Sequence, residues 1–551
     1  MDRRSFLAAL GAGVVTVSCS TDDDHADSTT SAVKGGVRGG RLKTVTPVVP
    51  RASTLAAGSF ALGVASGDPT DTSVMLWTRL CSAPTAIDGG SPADDVEVAV
   101  DVATDPAFRN VVASTIATAT GGRAHSVHVD VTGLQPDTWY HYRFRAGDQT
   151  SPVGRTRTFP GAKASPERLR FVFACCQDFQ WGYYGAWKHA VAEPDLDMVV
   201  FLGDYIYETN LGDLSPNRNG ERVWANQAAV SLADYRQRYA QTKGDAALQA
   251  MHHLVPWLVT WDDHEVSNNY AGDVALGVEP SEDAHRRRLA AYQAWYEHTP
   301  IRLHPEPRDF DSLKVHRSVQ FGDLATTYAI EVRQHAAPAA CRDPGTDDAR
   351  AILTDDGPDC PARHDPGRTN IGAEQEKWLL SAMADSTTTW NILANPVMFA
   401  GLNVGTPEAP AYTRDMWDGY PVVRQRIIDS IVQNKVPNPV IVSGDWHASF
   451  VLDVHRRPGV TAEEQASPVV MPEFLVSSIT TLIFPDDHRP ANPHVRFFAT
   501  DNAYAVVTVT PKELVCEFRN IADRWDPDTP LKATNRFTVT AGSPQVVETT
   551  E

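Results

Sequence analysis

From Phe60 to Phe159 apolar and polar residues alternate in short runs separated by turns: "SVMLWTRL", "VEVAVDVAT", "HSVHVDVTGL" and "TWYHYRFRA". A period of two over runs of this length predicts strands with one face buried, and their regular recurrence predicts a β-sandwich. "GLQPDTWYHYRF" sets Tyr140 after a Leu-x-Pro turn, as in the tyrosine corner of fibronectin-like modules. The pattern changes after the linker "PGAKASPER" at 160 to 168. Runs that are apolar throughout now alternate with helical segments. "LRFVFA" precedes "YYGAWKHAVAE", and "LDMVVFLG" precedes "SLADYRQRYAQT", where Ser231 and Asp234 make a capping pair. "PWLVTW" precedes "HRRRLAAYQAWYEH", "LATTYAIEV" and "WNILANPVMF" flank "EQEKWLLSAMAD", and "NPVIVS" closes the set. Strands apolar on both faces predict sheets covered on both sides, hence an α/β domain. Residues 20–58 are polar, contain "KGGVRGGR" and read as a flexible tether. The organisation expected is a leader and linker over 1–58, a β-sandwich over 59–160 and an α/β domain over 161–551.

The residues at the end of each apolar run carry the chemistry. After "FVFA" stand Cys175 and Cys176; after "VVFL" stand Gly203, Asp204, Tyr205, Ile206 and Tyr207. After "WLVT" comes "WDDHEVSNN", after "YAIEV" comes Arg333, and after "VIVS" come Gly444, Asp445, Trp446 and His447. Ligands of α/β sheets bind outside the carboxyl ends of the strands, so five strand ends present these groups to one crevice. Thiolate, phenolate and imidazole suit a borderline or trivalent transition metal; carboxylates and amides suit Ca²⁺, Mg²⁺ or Mn²⁺. Each motif alone has an ordinary structural explanation as a turn, an acidic loop or a packed thiol. Their ordered recurrence at successive strand ends argues for a shared site that clamps a phosphoryl group.

Length and charge narrow the picture. At 551 residues the chain exceeds one core. A formal charge of -20 opposes binding to nucleic acid and to anionic membranes. Arg3 and Arg4 precede an apolar run from Phe6 to Val17, the pattern of a twin-arginine export signal. That run is shorter than the roughly 20 residues that span a bilayer, so no transmembrane segment is expected. Cys19 follows Thr16-Val17-Ser18, which resembles a lipoprotein cleavage site with Thr16 where Leu is usual. Export implies an oxidising compartment, where disulfides persist. Cys341 and Cys360 flank a loop rich in Asp, Gly and Pro and are placed to close it; Cys81 and Cys516 are a second candidate pair.

The motifs "FALGVASGDPTDTSVMLWTRL", "FVFACCQ", "GDYIYE", "WDDHEVSNNY", "GDWHAS" and "EFLVSSIT" together resemble the alkaline phosphatase D family of metallophosphoesterases, related to purple acid phosphatases. The resemblance implies a four-layer α/β/β/α metallophosphoesterase sandwich preceded by a fibronectin- or Ig-like β-sandwich. It implies a phosphoesterase that hydrolyses monoesters, and diesters too, by attack of a metal-bound hydroxide or oxide. A phospholipase D-like or teichoic-acid phosphodiesterase on the same fold is the alternative. One Fe³⁺ and one or two Ca²⁺ are the implied cofactors. The family pattern "FASCQ" puts its iron cysteine on Cys176 and its serine on Cys175, leaving Cys175 as apolar filler. Asp204 matches the bridging carboxylate, Tyr207 the iron phenolate, and Asp445 and His447 the last metal pair, with His447 on iron. Asp263 falls on a ligand position for the second metal and His264 on a phosphate-facing histidine. Asn268 or Asn269 is a further Ca²⁺ ligand, and Arg333 resembles a phosphate-binding cation, with pairing to Glu331 or to an acidic loop as its structural alternative. Asp178 departs from the family's usual Asn. Phosphate esters and the twin-arginine export machinery are the expected partners, the location is secreted or cell-surface, and a monomer is expected.

Overall fold

The strand Leu169–Ala174 is buried along its whole length, and its two faces enter different cores. Phe171 and Phe173 join one cluster, while Val172 and Ala174 join another. The same division recurs in Met198–Phe201, where Met198 and Val200 face one way and Val199 and Phe201 the other. Side chains alternate across a strand, so a strand apolar in every position must be covered on both faces.

The computed structural model describes residues 30–34, 37–38, 41–210, 222–274, 281–303, 307–341, 352–353, 360–457 and 466–549. Arg3, Arg4 and Cys19 lie outside the described residues. The core shared by Phe171 and Phe173 is the space between two sheets. One is eleven-stranded and contains Leu169–Ala174, Met198–Phe201 and Trp257–Val259 as parallel neighbours. The other is seven-stranded, with Ala325–Ala329, Trp390–Ala394, Pro439–Ser443 and Val469–Leu475 running parallel. Helices Gly185–Val191, Ala246–Leu254 and Glu282–His298 cover the outer face of the first sheet, and Gly372–Ala384 and Pro421–Asn434 cover that of the second. This is the expected α/β/β/α sandwich. Helix Leu232–Lys243 begins with the expected capping box between Ser231 and Asp234.

The amino-terminal β-sandwich is present, with Val74, Leu76, Val98, Val100, Val129 and Tyr142 in its core. Tyr140 Oη accepts from the backbone N–H of Gln135 at 2.9 Å, the tyrosine corner. One sandwich sheet does not stop at the expected boundary near residue 160. Strand Val64–Gly67 meets Trp257–Val259 through the single pair Gly67–Trp257, so sandwich and α/β strands form one continuous sheet. Buried side chains weld the same seam. Trp77 Nε1 donates to Glu297 O at 2.9 Å, Arg79 Nη1 lies 2.7 Å from His298 Nε2, and Arg317 Nε pairs with Asp68 at 2.8 Å. Lys243 Nζ sits over the rings of Trp77 (4.4 Å) and Tyr205 (5.1 Å), 3.4 Å from His252 Nε2.

Cys341 and Cys360 form a disulfide. The other candidate pair does not: Cys81 and Cys516 are both free and buried. Cys81 packs at the seam with Trp77, whereas Cys516 lies between the two large sheets, so no bond can join them.

Burial alone pushes the Lys243 ammonium down to about 7 from its usual 10.5. A depressed cation leaves the unfolded chain holding more protons between those two pH values, so folding stability must rise with pH across that window. Below it the charge-burial cost is fully present. Lys243→Met is therefore expected to raise the thermal midpoint by several degrees at pH 7. The stability difference between variant and parent should shrink by about 1.4 kcal/mol per pH unit toward pH 10.5. A difference that does not vary with pH would refute a strained lysine at the seam.

Candidate metal centre

Three parallel strands of the larger sheet end at Ala174, Phe201 and Val259, and Pro439–Ser443 of the smaller sheet ends at Ser443. Just beyond these ends the backbone turns sharply. Cys176, Asp204, Asn269, Asp445 and His447 all take positive φ, between 53° and 70°. Non-glycine residues rarely adopt this region, and its appearance at five neighbouring polar residues marks a site held by its surroundings. Two glycines make the turns possible. A Cβ on Gly203, itself at φ 118°, would lie 2.5 Å from the backbone nitrogen of Asp262, and one on Gly444 would lie 2.5 Å from Cys175 Sγ. Cys175 thus packs under the Gly444 turn, with its sulfur 3.7 Å from Val476 O, while Cys176 faces the cluster.

Three sets of side chains bring donor atoms within 4.8 Å of one another: Cys176, Asp204 and His447; Asp204, Asp263 and His264; and Asp204, Asp262, Asp263 and Asp445. Asp204 belongs to all three, the position a bridging carboxylate needs. Tyr207 Oη donates to Asp204 Oδ2 at 2.9 Å and lies 3.3 Å from His447 Nε2, and its ring stacks on His264 at 4.1 Å. Asn268 and Asn269 line the same cavity of about 450 Å³ as Tyr207, Asp263, His264, Asp445 and His447. Their backbone N–H groups donate to Glu208 (2.8 Å) and Asp263 (2.6 Å) respectively.

Buried carboxylates hold these loops. Glu265 is fully buried and accepts three backbone N–H bonds, from Tyr205 at 2.7 Å, Asp262 at 2.8 Å and Asp204 at 3.1 Å. It ties the second and third strand-end loops together. Glu473 does the same in the smaller sheet, accepting from Phe399, Ala400 and the Ser443 hydroxyl at 2.5 to 2.8 Å. Glu208 Oε2 lies 2.7 Å from His264 Nδ1, which fixes the orientation of the ring.

Charge in the cluster is crowded. Burial pushes the Asp204 carboxyl well above its usual range, with Asp263, Asp262 and Glu265 adding to the effect and His264 opposing it. Burial raises Cys176, Tyr207 and Asp445 likewise, and Asp262 to about 7. Burial works against the charge on Asp263 too, but His264 and Arg333 outweigh it and hold that carboxyl low. For His264 burial favours the neutral ring, yet Asp263, Glu208 and Asp204 together raise it well above an ordinary histidine. Groups that resist ionising when gathered without cations, and that offer S, N and O donors at close range, fit multivalent cations that replace the protons.

Most expected site residues meet here, and Arg333 is placed differently from the rest. It is buried behind the aspartates, pairing through Nε with Asp262 (2.5 Å) and through Nη1 with Asp415 (2.6 Å), and it does not line the cavity. Its backbone N–H, not its side chain, meets Glu331, at 2.9 Å. Asp178 lines the cavity and is pushed up to about 6, chiefly by burial. Sequence reasoning passed over Asp262, Glu208 and Asp415. The doubled acid in "WDDHE" was the only signal for the first; nothing local distinguishes the other two.

The two carboxylates should fail differently. Glu265→Gln places an amide NH₂ against backbone donors, so it is expected to lower bound metal and activity together, by about tenfold or more. Glu208→Gln keeps an acceptor for Asn268 but loses the charge beside His264. It should cut kcat by about 10- to 100-fold with metal content unchanged. Metal analysis beside steady-state kinetics separates the two outcomes.

The profile of the PhoD-like phosphatase family matches residues 171–518, and that of the PhoD-like phosphatase N-terminal domain matches residues 46–160. Alkaline phosphatase D of Bacillus subtilis (strain 168) is 40% identical over 471 residues, which cover 84% of this chain and 77% of that protein. The solved structure of PhoD superposes with a TM-score of 0.83 at 36% identity, over 91% of this chain and 94% of that one. These matches embrace the sandwich, both large sheets and every strand-end loop of the cluster, so the chain belongs to the PhoD-like phosphatase family and is a phosphoester hydrolase.

Proposed function

We propose that this protein is an exported, metal-dependent alkaline phosphatase of the D type, acting on phosphate monoesters and on diesters at the Asp204 cluster. The observation that supports it is the sharing of Asp204 by three donor sets beside an open cavity of about 450 Å³. Cys176, Tyr207 and His447 are the donors suited to one Fe³⁺; Asp263, Asp445 and Asn268 or Asn269 are oxygen donors suited to one or two Ca²⁺. Cations held there supply Lewis-acid charge and an activated water. The chain's own contribution is electrostatic and positional. His264 lines the cavity with its Nδ1 clamped by Glu208, and in its protonated form it offers an Nε2 proton to a phosphoryl or leaving-group oxygen. Arg333 offsets the charge on Asp262 and Asp263 from behind, and with His264 it holds the Asp263 carboxyl low beside the cavity. The cavity exceeds the size of a phosphate, which leaves room for the second arm of a diester.

Purified protein is expected to hydrolyse both 4-nitrophenyl phosphate and bis(4-nitrophenyl) phosphate. A calcium-selective chelator should abolish turnover reversibly while bound iron is retained. The iron form should be coloured by its phenolate and thiolate donors, and Tyr207→Phe should weaken or shift that band. Full activity in excess chelator counts against calcium, and a colourless active zinc or magnesium enzyme counts against iron.

Export by the twin-arginine route rests on Arg3 and Arg4 ahead of a short apolar run. Replacing both with Lys is expected to hold the precursor inside the cell. Equal external activity from parent and double variant would refute the route.

A further inference from the structure

The cavity beside the cluster has a second character. Trp181, Met416, Trp446, Leu482 and Phe484 line it together with the polar residues. The apolar side begins at a candidate ligand: Phe484 stacks on the His447 ring with centroids 5.1 Å apart and planes 12° apart, and it meets Trp446 edge-on at 6.5 Å. Leu482, two residues earlier, is 39% exposed. A single exposed leucine is ordinary on a protein surface. One that shares a concave site with three aromatic rings and a histidine is in a ligand-contacting position. A phosphoryl group makes no use of such a wall; the organic part of an ester does. The volume of about 450 Å³ falls within the range of about 300–1,000 Å³ that holds organic ligands.

Resting on the phosphoesterase reading above, we infer that the cavity selects phosphoesters whose alcohol part is a compact ring, seated against Trp446, Phe484 and Leu482, over esters of small polyols. Ring is favoured over chain because three of the apolar lining residues are themselves aromatic, and aromatic pairs gain from offset and edge-on contact beyond area alone.

Phosphonates carry no scissile ester, so their inhibition reads binding without leaving-group chemistry. With the metal-loaded full-length enzyme turning over 4-nitrophenyl phosphate, benzylphosphonate is expected to inhibit about tenfold more tightly than methylphosphonate, or about 1.4 kcal/mol. Leu482→Ser and Phe484→Leu are each expected to bring that ratio below about threefold; the ratio serves as its own control for damage to the metal end. Equal inhibition by the two phosphonates overturns the inference and leaves the phosphoesterase reading standing, because the substrate is still consumed. Tighter inhibition by hexylphosphonate than by benzylphosphonate overturns the ring in favour of a chain. Absence of turnover overturns the phosphoesterase reading, and this inference with it.

Discussion

Asp204, Asp262, Asp263 and Asp445 have carboxylate oxygens within 4.8 Å of one another in a buried crevice. Like charges at that distance repel by about 3 to 4 kcal/mol per pair at an effective dielectric of about 20. Desolvation adds to the cost. The charged groups around the crevice are arranged to offset this repulsion. Arg333 sits behind the aspartates, His264 sits among them, and the remaining negative charge is left for cations.

Resisting the repulsion is a mechanical task as much as an electrostatic one. The Asp204 and Asp445 loops leave their strands through left-handed residues, and the Asp262 loop reaches one at Asn269. Buried glutamates tie these loops down by accepting backbone N–H groups that would otherwise be left unpaired. Glu265 joins the Asp204 loop to the Asp262 loop, Glu331 accepts from Arg333 and Gln334, and Glu473 anchors the strand end before Gly444. Each carboxylate belongs to the scaffold, not to the donor sets. Together they explain how two sheets with few covalent constraints hold their carboxyl ends in one geometry.

Much of this was legible in the chain because the signals are local. An apolar run that breaks at Gly-Asp or at Cys-Cys announces both a strand and what stands at its end, and four such breaks carry the donor residues of the centre. Partners that depend on distant packing left no such mark. Glu208 reads as the residue after a tyrosine, Asp415 as one more loop acid, and neither reveals that it meets His264 or Arg333. The placement of Arg333 behind the carboxylates is likewise a matter of depth, which a one-dimensional pattern does not encode. The continuity of the sandwich sheet with the α/β sheet hangs on the pair Gly67–Trp257, separated by most of a domain in sequence. Cys81 and Cys516 could be told apart as free thiols only once their separate cores were known.

The left-handed backbone at Cys176, Asp204, Asn269, Asp445 and His447 has an evolutionary consequence. At each of these positions glycine would relieve the conformational cost, and at the acidic ones it would also remove a repelling charge. In the cation-free chain, glycine at these positions therefore runs downhill in folding free energy. Loss of chemistry by that route would leave the fold standing, because the glutamates that hold the loops are not donors.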